Sequence, residues 1–128
     1  MPNISKSFAG LGILFILAVG LIHVMDAQDS FFDAAYKGWF FYANGAGALV
    51  AAFGIYHRQC WGWNLGLLIA VGSLIGYIAS RTVGLPLIPA EPDAWFEPLG
   101  VAAVTSGILF VVVTIRMKIL YQSEIKKG

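Results

Sequence analysis

Charge and cysteine are scarce in this chain of 128 residues. Only 12% of its residues are charged, whereas soluble domains carry roughly 25%. Hydrophobic residues make up 59% of the chain, and a soluble fold that apolar would expose large patches and aggregate. The composition therefore predicts a membrane protein whose surface is covered by lipid. The length favours a single domain, 1–128.

Other absences exclude whole classes of site. The single cysteine, Cys60, can form neither an intrachain disulfide nor a multi-cysteine metal site. The net charge of +1 comes without the basic stripe that nucleic-acid binding requires, so we expect no nucleic-acid partner. The glycines lie inside apolar runs, which excludes a nucleotide-binding loop between a strand and a helix. No motif places a catalytic nucleophile, so the sequence does not favour an enzyme.

Four apolar runs cover most of the chain, at about 7–25, 36–56, 61–80 and 97–115. Each is close to the ~20 residues that a helix needs to cross ~30 Å of hydrocarbon. A membrane β-strand would be about 10 residues long with strict alternation, which these runs lack. The predicted fold class is therefore all-α, an integral membrane four-helix bundle.

The charged residues between the runs predict an orientation. An excess of lysine and arginine marks the cytoplasmic side of a membrane protein. Both ends of the chain and the short second connection are basic, whereas the first and third connections are acidic. We therefore predict N-in/C-in topology, with the acidic connections outside. Aromatic residues at the ends of the runs fit membrane boundaries, with Trp61 and Trp63 expected at the inner one.

Small residues recur at every fourth position on the second and third runs, a spacing that lets membrane helices approach closely. We expect these two helices to pack together, or one of the faces to dock a partner protein. The three sets are Ala43, Gly47 and Ala51; Gly62, Gly66 and Ala70; and, on another face, Gly72, Gly76 and Ser80.

A few polar residues fall at membrane depth, where they are costly unless they are paired or functional. The topology brings them to one zone near the outer boundary, and two interpretations follow. The zone is a pocket for an ion, a proton or a cofactor head group, or it is an ion pair of Arg81 with Glu97 or Asp26 that ties the long third connection to the bundle. The candidate binding residues are His23, Asp26, Asn44, Arg81 and Glu97.

The predicted positions of the two histidines limit which cofactors the chain could bind. The predicted topology puts His23 near the outer face and His57 near the inner face, close to ~30 Å apart. They therefore cannot ligate one haem iron together, and we predict no cofactor. Single-histidine haem at His23, or copper or zinc at His23 with Asp26 and Glu97, is left open.

Two stretches carry a resemblance to a known family. The string SRTVGLP at 80–86 and the string EPLG at 97–100 resemble those of a group of small bacterial four-span membrane proteins. Many members of that group have an acidic residue in the last span, where this chain has Thr105 and Ser106. The family has no assigned activity, so the resemblance implies a bacterial plasma membrane and no function.

Small size and sparse chemistry favour an accessory or structural subunit of a larger membrane complex, of energy-converting or oxidase type. The alternative is a binding or transport module for a metal, haem or lipid that uses the polar zone. Membrane lipids and other membrane subunits, or further copies of this chain, are the expected partners.

Overall fold

The computed structural model describes residues 5–127, and this part of the chain is helical apart from its connections. All four helices are long and apolar enough to cross a membrane, which confirms the predicted all-α fold with four candidate spans. Residues 1–4 and 128 of the predicted domain lie outside the described part. The helices are α1 (Lys6–Asp33), α2 (Ala35–Tyr56), α3 (Cys60–Thr82) and α4 (Pro98–Lys127).

The first and last helices are longer than their apolar runs. α1 continues through the acidic residues after position 25 and ends at Asp33, so that Ala34 alone separates it from α2. With 28 residues, α1 is roughly 42 Å long, well over the ~30 Å of a hydrocarbon core. The reason is that hydropathy reports depth in the bilayer, and a helix continues into water wherever its backbone hydrogen bonds continue.

Local sequence explains where the helices begin and end. The Ser5 hydroxyl accepts a hydrogen bond from the Phe8 N–H at 3.2 Å and caps α1. Pro98 is the first residue of α4, where its missing N–H has no helical partner to lose. After α3, Gly84 adopts a φ of 86° and donates its N–H to the Ala79 carbonyl at 2.8 Å, a glycine-terminated helix end.

The helices form an antiparallel bundle in chain order. α1 packs against α2 and α4, α3 packs against α2 and α4, and α1 and α3 meet only briefly across the diagonal. We call the end that carries Ala34 and the connection 83–97 the loop end. The opposite end, with the short connection 57–59, is the hairpin end.

The core is densest at the hairpin end and is centred on Trp63. This side chain is only 1% exposed, its ring stacks on Phe110 of α4 with centroids 6.0 Å apart, and it lies against Gly12 of α1. The membrane-boundary position expected for Trp63 stays a prediction, and its ring is buried and not on the surface. Its ring turns into the bundle because Gly12 has no side chain to occupy that space.

Small residues bring α2 and α3 together, as predicted. A Cβ placed on Gly62 would lie 2.5 Å from the backbone nitrogen of Ile55 and 2.6 Å from the carbonyl carbon of Gly54. Other members of the predicted sets have different neighbours. Gly66 faces Phe110 of α4, whereas Gly72 and Gly76 would place a Cβ in open space.

Replacing Gly62 by alanine should therefore destabilise the protein. The added methyl group would meet the backbone of α2, which cannot move without shifting the whole helix. Overpacking of this kind typically costs about 1–3 kcal/mol. Thermal unfolding in detergent, followed by circular dichroism, should show a lower midpoint for Gly62→Ala.

The matched control is Gly10→Ala on α1. A Cβ at Gly10 has no neighbour within 4 Å, and alanine is the better helix former, so its midpoint should equal or slightly exceed that of the wild type. An unchanged midpoint for Gly62→Ala would contradict the close contact with Gly54.

Candidate functional site

A cavity lies at the loop end of the bundle. Its volume is about 690 Å³, within the ~300–1,000 Å³ typical of small-molecule sites. It lies mainly between α2 and α3, and α1 and α4 complete its wall. The lining residues that matter below are His23, Tyr36, Lys37, Phe40, Phe41, Asn44, Leu68, Gly72, Ser73, Gly76, Tyr77, Ser80, Arg81, Leu85 and Ala103.

A shortage of side-chain volume makes this cavity. Gly72 and Gly76 of α3 present no side chain to it, and Ala103 of α4 presents a single methyl group. At the hairpin end the equivalent space is filled by Trp63 and Phe110. The small-residue face that was expected to support helix contacts therefore lines a space instead.

His23 offers an acceptor to the cavity. Its Nδ1 lies 2.7 Å from the carbonyl oxygen of Val19, one turn earlier on α1. Because a carbonyl can only accept, Nδ1 carries the proton and donates. In the neutral ring Nε2 is then an unprotonated acceptor. The ring also meets Phe41 of α2 edge-on, with centroids 4.8 Å apart.

Asn44 offers a second acceptor. Its Nδ2 donates to the Ser73 hydroxyl at 2.8 Å, and that hydroxyl donates to the Ile69 carbonyl at 2.7 Å. Since the single hydroxyl proton is used, Ser73 can only accept from Asn44, which sets the orientation of the amide. The amide oxygen Oδ1 is buried and has no hydrogen-bond partner among the described residues.

Arg81 forms hydrogen bonds mainly with the connection 83–97. Its Nε and Nη2 both donate to the carbonyl of Ala94, at 3.2 and 3.1 Å, and its Nη1 donates to the Ser80 hydroxyl at 2.7 Å. The guanidinium also lies over the Tyr77 ring, 4.1 Å from the centroid. The ion pair with Glu97 is longer, at 3.6 Å, and more than half of the Glu97 side chain is exposed. The predicted tie between Arg81 and the long connection is therefore present, chiefly through Ala94.

Two tyrosines and one lysine complete the loop end. The Tyr36 hydroxyl donates to the carbonyl of Pro86 at 2.5 Å, and the Tyr77 hydroxyl donates to the carbonyl of Trp95. Lys37 donates to Asp33 at 2.8 Å. The two tyrosine bonds hold the connection 83–97 over the loop end, where Leu85 lines the cavity.

The structure brings together three of the five predicted site residues. His23, Asn44 and Arg81 line the cavity; Glu97 reaches it only through Arg81, and Asp26 is not among the lining residues described. The sequence reasoning missed the lining residues Ser73, Tyr36, Lys37, Phe41 and Tyr77. Ser73 could have been found, because a hydroxyl in the middle of the third apolar run is another polar group at membrane depth.

The metal and haem alternatives rest on His23 alone. Within residues 5–127 no three His, Cys, Asp or Glu side chains are grouped so that they could hold a metal ion. His57 contacts Phe53, twelve residues and roughly 18 Å along α2 from the Phe41 that contacts His23. The two histidines are therefore apart, as predicted. Single-histidine haem or copper at His23 stays a prediction.

Comparisons of the chain with protein-family models, curated proteins and solved structures found no match. The resemblance of the stretches 80–86 and 97–100 to small bacterial four-span proteins stays a prediction. The cavity and the polar side chains among its lining residues are thus the observations from which a function can be inferred.

The bonds of Arg81 predict an unequal effect of two substitutions. Arg81→Ala removes both donors to the Ala94 carbonyl. Because the two donors share one carbonyl oxygen, the loss should be about 1.5–3 kcal/mol, the contribution of one hydrogen bond from a charged donor. Glu97→Gln removes only a long, exposed ion pair, worth about 0–1 kcal/mol. Thermal midpoints and the rate of proteolysis within 83–97 would measure the difference. An equal effect of Glu97→Gln would show that the ion pair, and not the carbonyl contact, holds the connection.

Proposed function

We propose that this chain is a multi-pass membrane protein that binds one small lipophilic molecule in the cavity at the loop end. The observation that carries the proposal is the cavity of about 690 Å³, whose wall is mostly apolar and aromatic and includes the polar side chains of His23 and Asn44. Small-molecule sites typically have this volume and this combination of apolar walls with a few polar groups.

The exposed part of the cavity wall supports entry from the bilayer. Phe40 of α2 and Leu68 of α3 are 68% and 70% exposed, and Gly72 beside them has open space above its Cα. In a membrane this seam between α2 and α3 faces lipid tails. The connection 83–97 covers the loop end, so a lipophilic molecule reaches the polar interior sideways, between the two helices.

The same reasoning supports the membrane setting and orientation. Large apolar side chains such as Leu14, Phe53 and Ile75 are exposed on the four helices, as expected where lipid is the solvent. We place the chain in a bacterial plasma membrane with both termini and the hairpin end in the cytoplasm, because the basic residues lie at that end. The cavity then lies in the outer leaflet.

A role as accessory subunit of a larger complex, which composition favoured, stays a prediction. We rank ligand binding first because the cavity at the loop end has the volume and lining of a small-molecule site. The two roles are compatible, since a subunit of a membrane complex can carry a ligand site of its own.

The single cysteine tests the proposed orientation. Cys60 is exposed at the start of α3, at the hairpin end. A membrane-impermeant maleimide should therefore leave Cys60 unlabelled on intact spheroplasts and label it after lysis. The converse probe is Glu91→Cys in a Cys60→Ser background, which places the thiol in the connection 83–97 and should be labelled without lysis. The reverse pattern would contradict the orientation.

Filling the cavity tests the proposed function. The wild-type protein, purified in mild detergent and analysed by native mass spectrometry, should carry one small molecule per chain. Gly76→Phe on α3 and Ala103→Phe on α4 each put a large ring where the cavity lies. Each should lower the affinity for the molecule at least about tenfold, the effect of losing about 1.4 kcal/mol, and so reduce the fraction of chains that carry it.

The control for this experiment is Gly10→Phe on α1. Gly10 also has open space above its Cα but does not line the cavity, so this variant should retain the molecule. Loss in all three variants would indicate general unfolding, and retention in both cavity variants would contradict the proposal. A second polypeptide bound in equal amount, with no small molecule, would favour the accessory subunit.

A further inference from the structure

We infer that the ligand of this cavity is a single-chain lipid with an anionic head group, of which a long-chain fatty acid is the simplest example. The inference rests on the proposed function and names the chemical class of its ligand. It follows from the length and width of the cavity, from the uncharged wall along most of that length, and from the two basic residues at its loop end.

The cavity is long and narrow. On α3 its lining residues run from Leu68 to Arg81. At the rise of an α-helix, about 1.5 Å per residue, this stretch is roughly 20 Å long. A volume of about 690 Å³ spread over that length gives a mean width of only about 7 Å. The long axis of the cavity follows α3, which is also the direction of the lipid chains around a membrane-spanning helix.

This width admits one hydrocarbon chain. Nonbonded carbon atoms pack about 3.5–4.0 Å apart, so two chains side by side need about 8 Å, and a single chain needs about half of that. A helix of a partner protein is about 10–12 Å across with its side chains. The cavity is therefore too narrow for both chains of a phospholipid or for a helix, and its length fits one extended chain.

The wall is uncharged towards the middle of the bundle. Leu68, Ile69 and Gly72 line this part, and Leu68 is exposed, so that the cavity opens there to the surrounding lipid tails. The donors of the two polar residues nearby are already used, since Nδ2 of Asn44 donates to the Ser73 hydroxyl and that hydroxyl donates to the Ile69 carbonyl. An alkyl chain can therefore occupy this part without displacing a hydrogen bond.

Two basic residues line the cavity at its loop end, Lys37 near the start of α2 and Arg81 near the end of α3. Each lies over an aromatic ring of the cavity wall. Nζ of Lys37 is 5.4 Å from the ring centroid of Phe41, and Cζ of Arg81 is 4.1 Å from that of Tyr77. No acidic residue is among the lining residues described. The cavity wall is therefore positively charged at this end.

The carboxylate partners of these two residues are more exposed than the residues themselves. Asp33 lies 2.8 Å from Lys37 and Glu97 lies 3.6 Å from Arg81. The two carboxylate side chains are 40% and 57% exposed, against 15% and 11% for the basic side chains. Water therefore screens the field of the carboxylates more strongly than that of the cations. An anionic head group in the cavity is attracted, and a cationic one is repelled.

A mixture of four lipids tests both parts of the inference. Wild-type protein, stripped of bound lipid in mild detergent, would be incubated at neutral pH with equimolar stearic acid, its methyl ester, octadecylamine and dioleoyl phosphatidic acid. Native mass spectrometry shows which lipid each chain carries, because the masses of the probes differ. We expect one stearic acid per chain, bound at least about tenfold more often than any other probe.

Removing one positive charge separates the head group from the chain. Lys37→Gln keeps much of the side chain and should reduce the preference for stearic acid over its methyl ester at least about threefold, with binding of the ester unchanged. Lys118→Gln is the control, because Lys118 is also half-buried but is not among the lining residues described. This control should retain the full preference.

The outcomes separate this inference from the proposed function. Equal binding of stearic acid and its methyl ester to the wild type would overturn the anionic head group, and equal binding of phosphatidic acid would overturn the single chain. Failure of every probe, while Gly76→Phe still removes a co-purified molecule, would overturn the ligand class and leave ligand binding intact. If no probe binds and no molecule co-purifies, both proposals are wrong. The comparison of probes needs only the wild type, so it holds even where Lys37→Gln does not fold.

Discussion

The close contact of Gly54 with Gly62 determines much of this bundle. With a Cβ on Gly62 only 2.6 Å from the Gly54 carbonyl carbon, α2 and α3 meet backbone to backbone at the hairpin end. Trp63, the next residue, turns inward and reaches Gly12 of α1 and Phe110 of α4. The contact of Gly54 with Gly62 thus sets the spacing of α2 and α3, and the Trp63 ring packs against the other two helices, α1 and α4.

The cavity at the loop end exists because no ring comparable to that of Trp63 is described there. No described side chain fills the space beside Gly72 and Gly76, so the bundle encloses a cavity there. The bond from Asn44 to Ser73 still links α2 to α3 beside this space. The bundle is therefore anchored at one end and hollow at the other, an arrangement in which a ligand can be bound without disturbing the core.

The sequence predicts the helices and part of the cavity for identifiable reasons. Long apolar runs predict the number and type of helices because a bilayer demands about 20 residues per span. The end of α1 at Asp33 could not be predicted from hydropathy, because polar residues can continue a helix beyond the hydrocarbon core. The inward turn of Trp63 depends on Gly12, fifty-one residues away, and no local pattern reports such a contact. Asp26 is not among the residues described as lining the cavity, because sharing a helix face with His23 does not by itself place two residues on one cavity.

The predicted polar zone contains both the attachment of the connection 83–97 and part of the cavity wall, and Arg81 belongs to both. Arg81, Ala94 and Glu97 account for the attachment of the connection 83–97, and neither His23 nor Asn44 takes part in it. A purely structural role therefore explains Arg81 and Glu97 but leaves the unpartnered Oδ1 of Asn44 unexplained. A leucine at position 44 would pack in that space without the desolvation cost of the amide. The cavity that His23 and Asn44 line is therefore the reason to favour a ligand over a structural role alone.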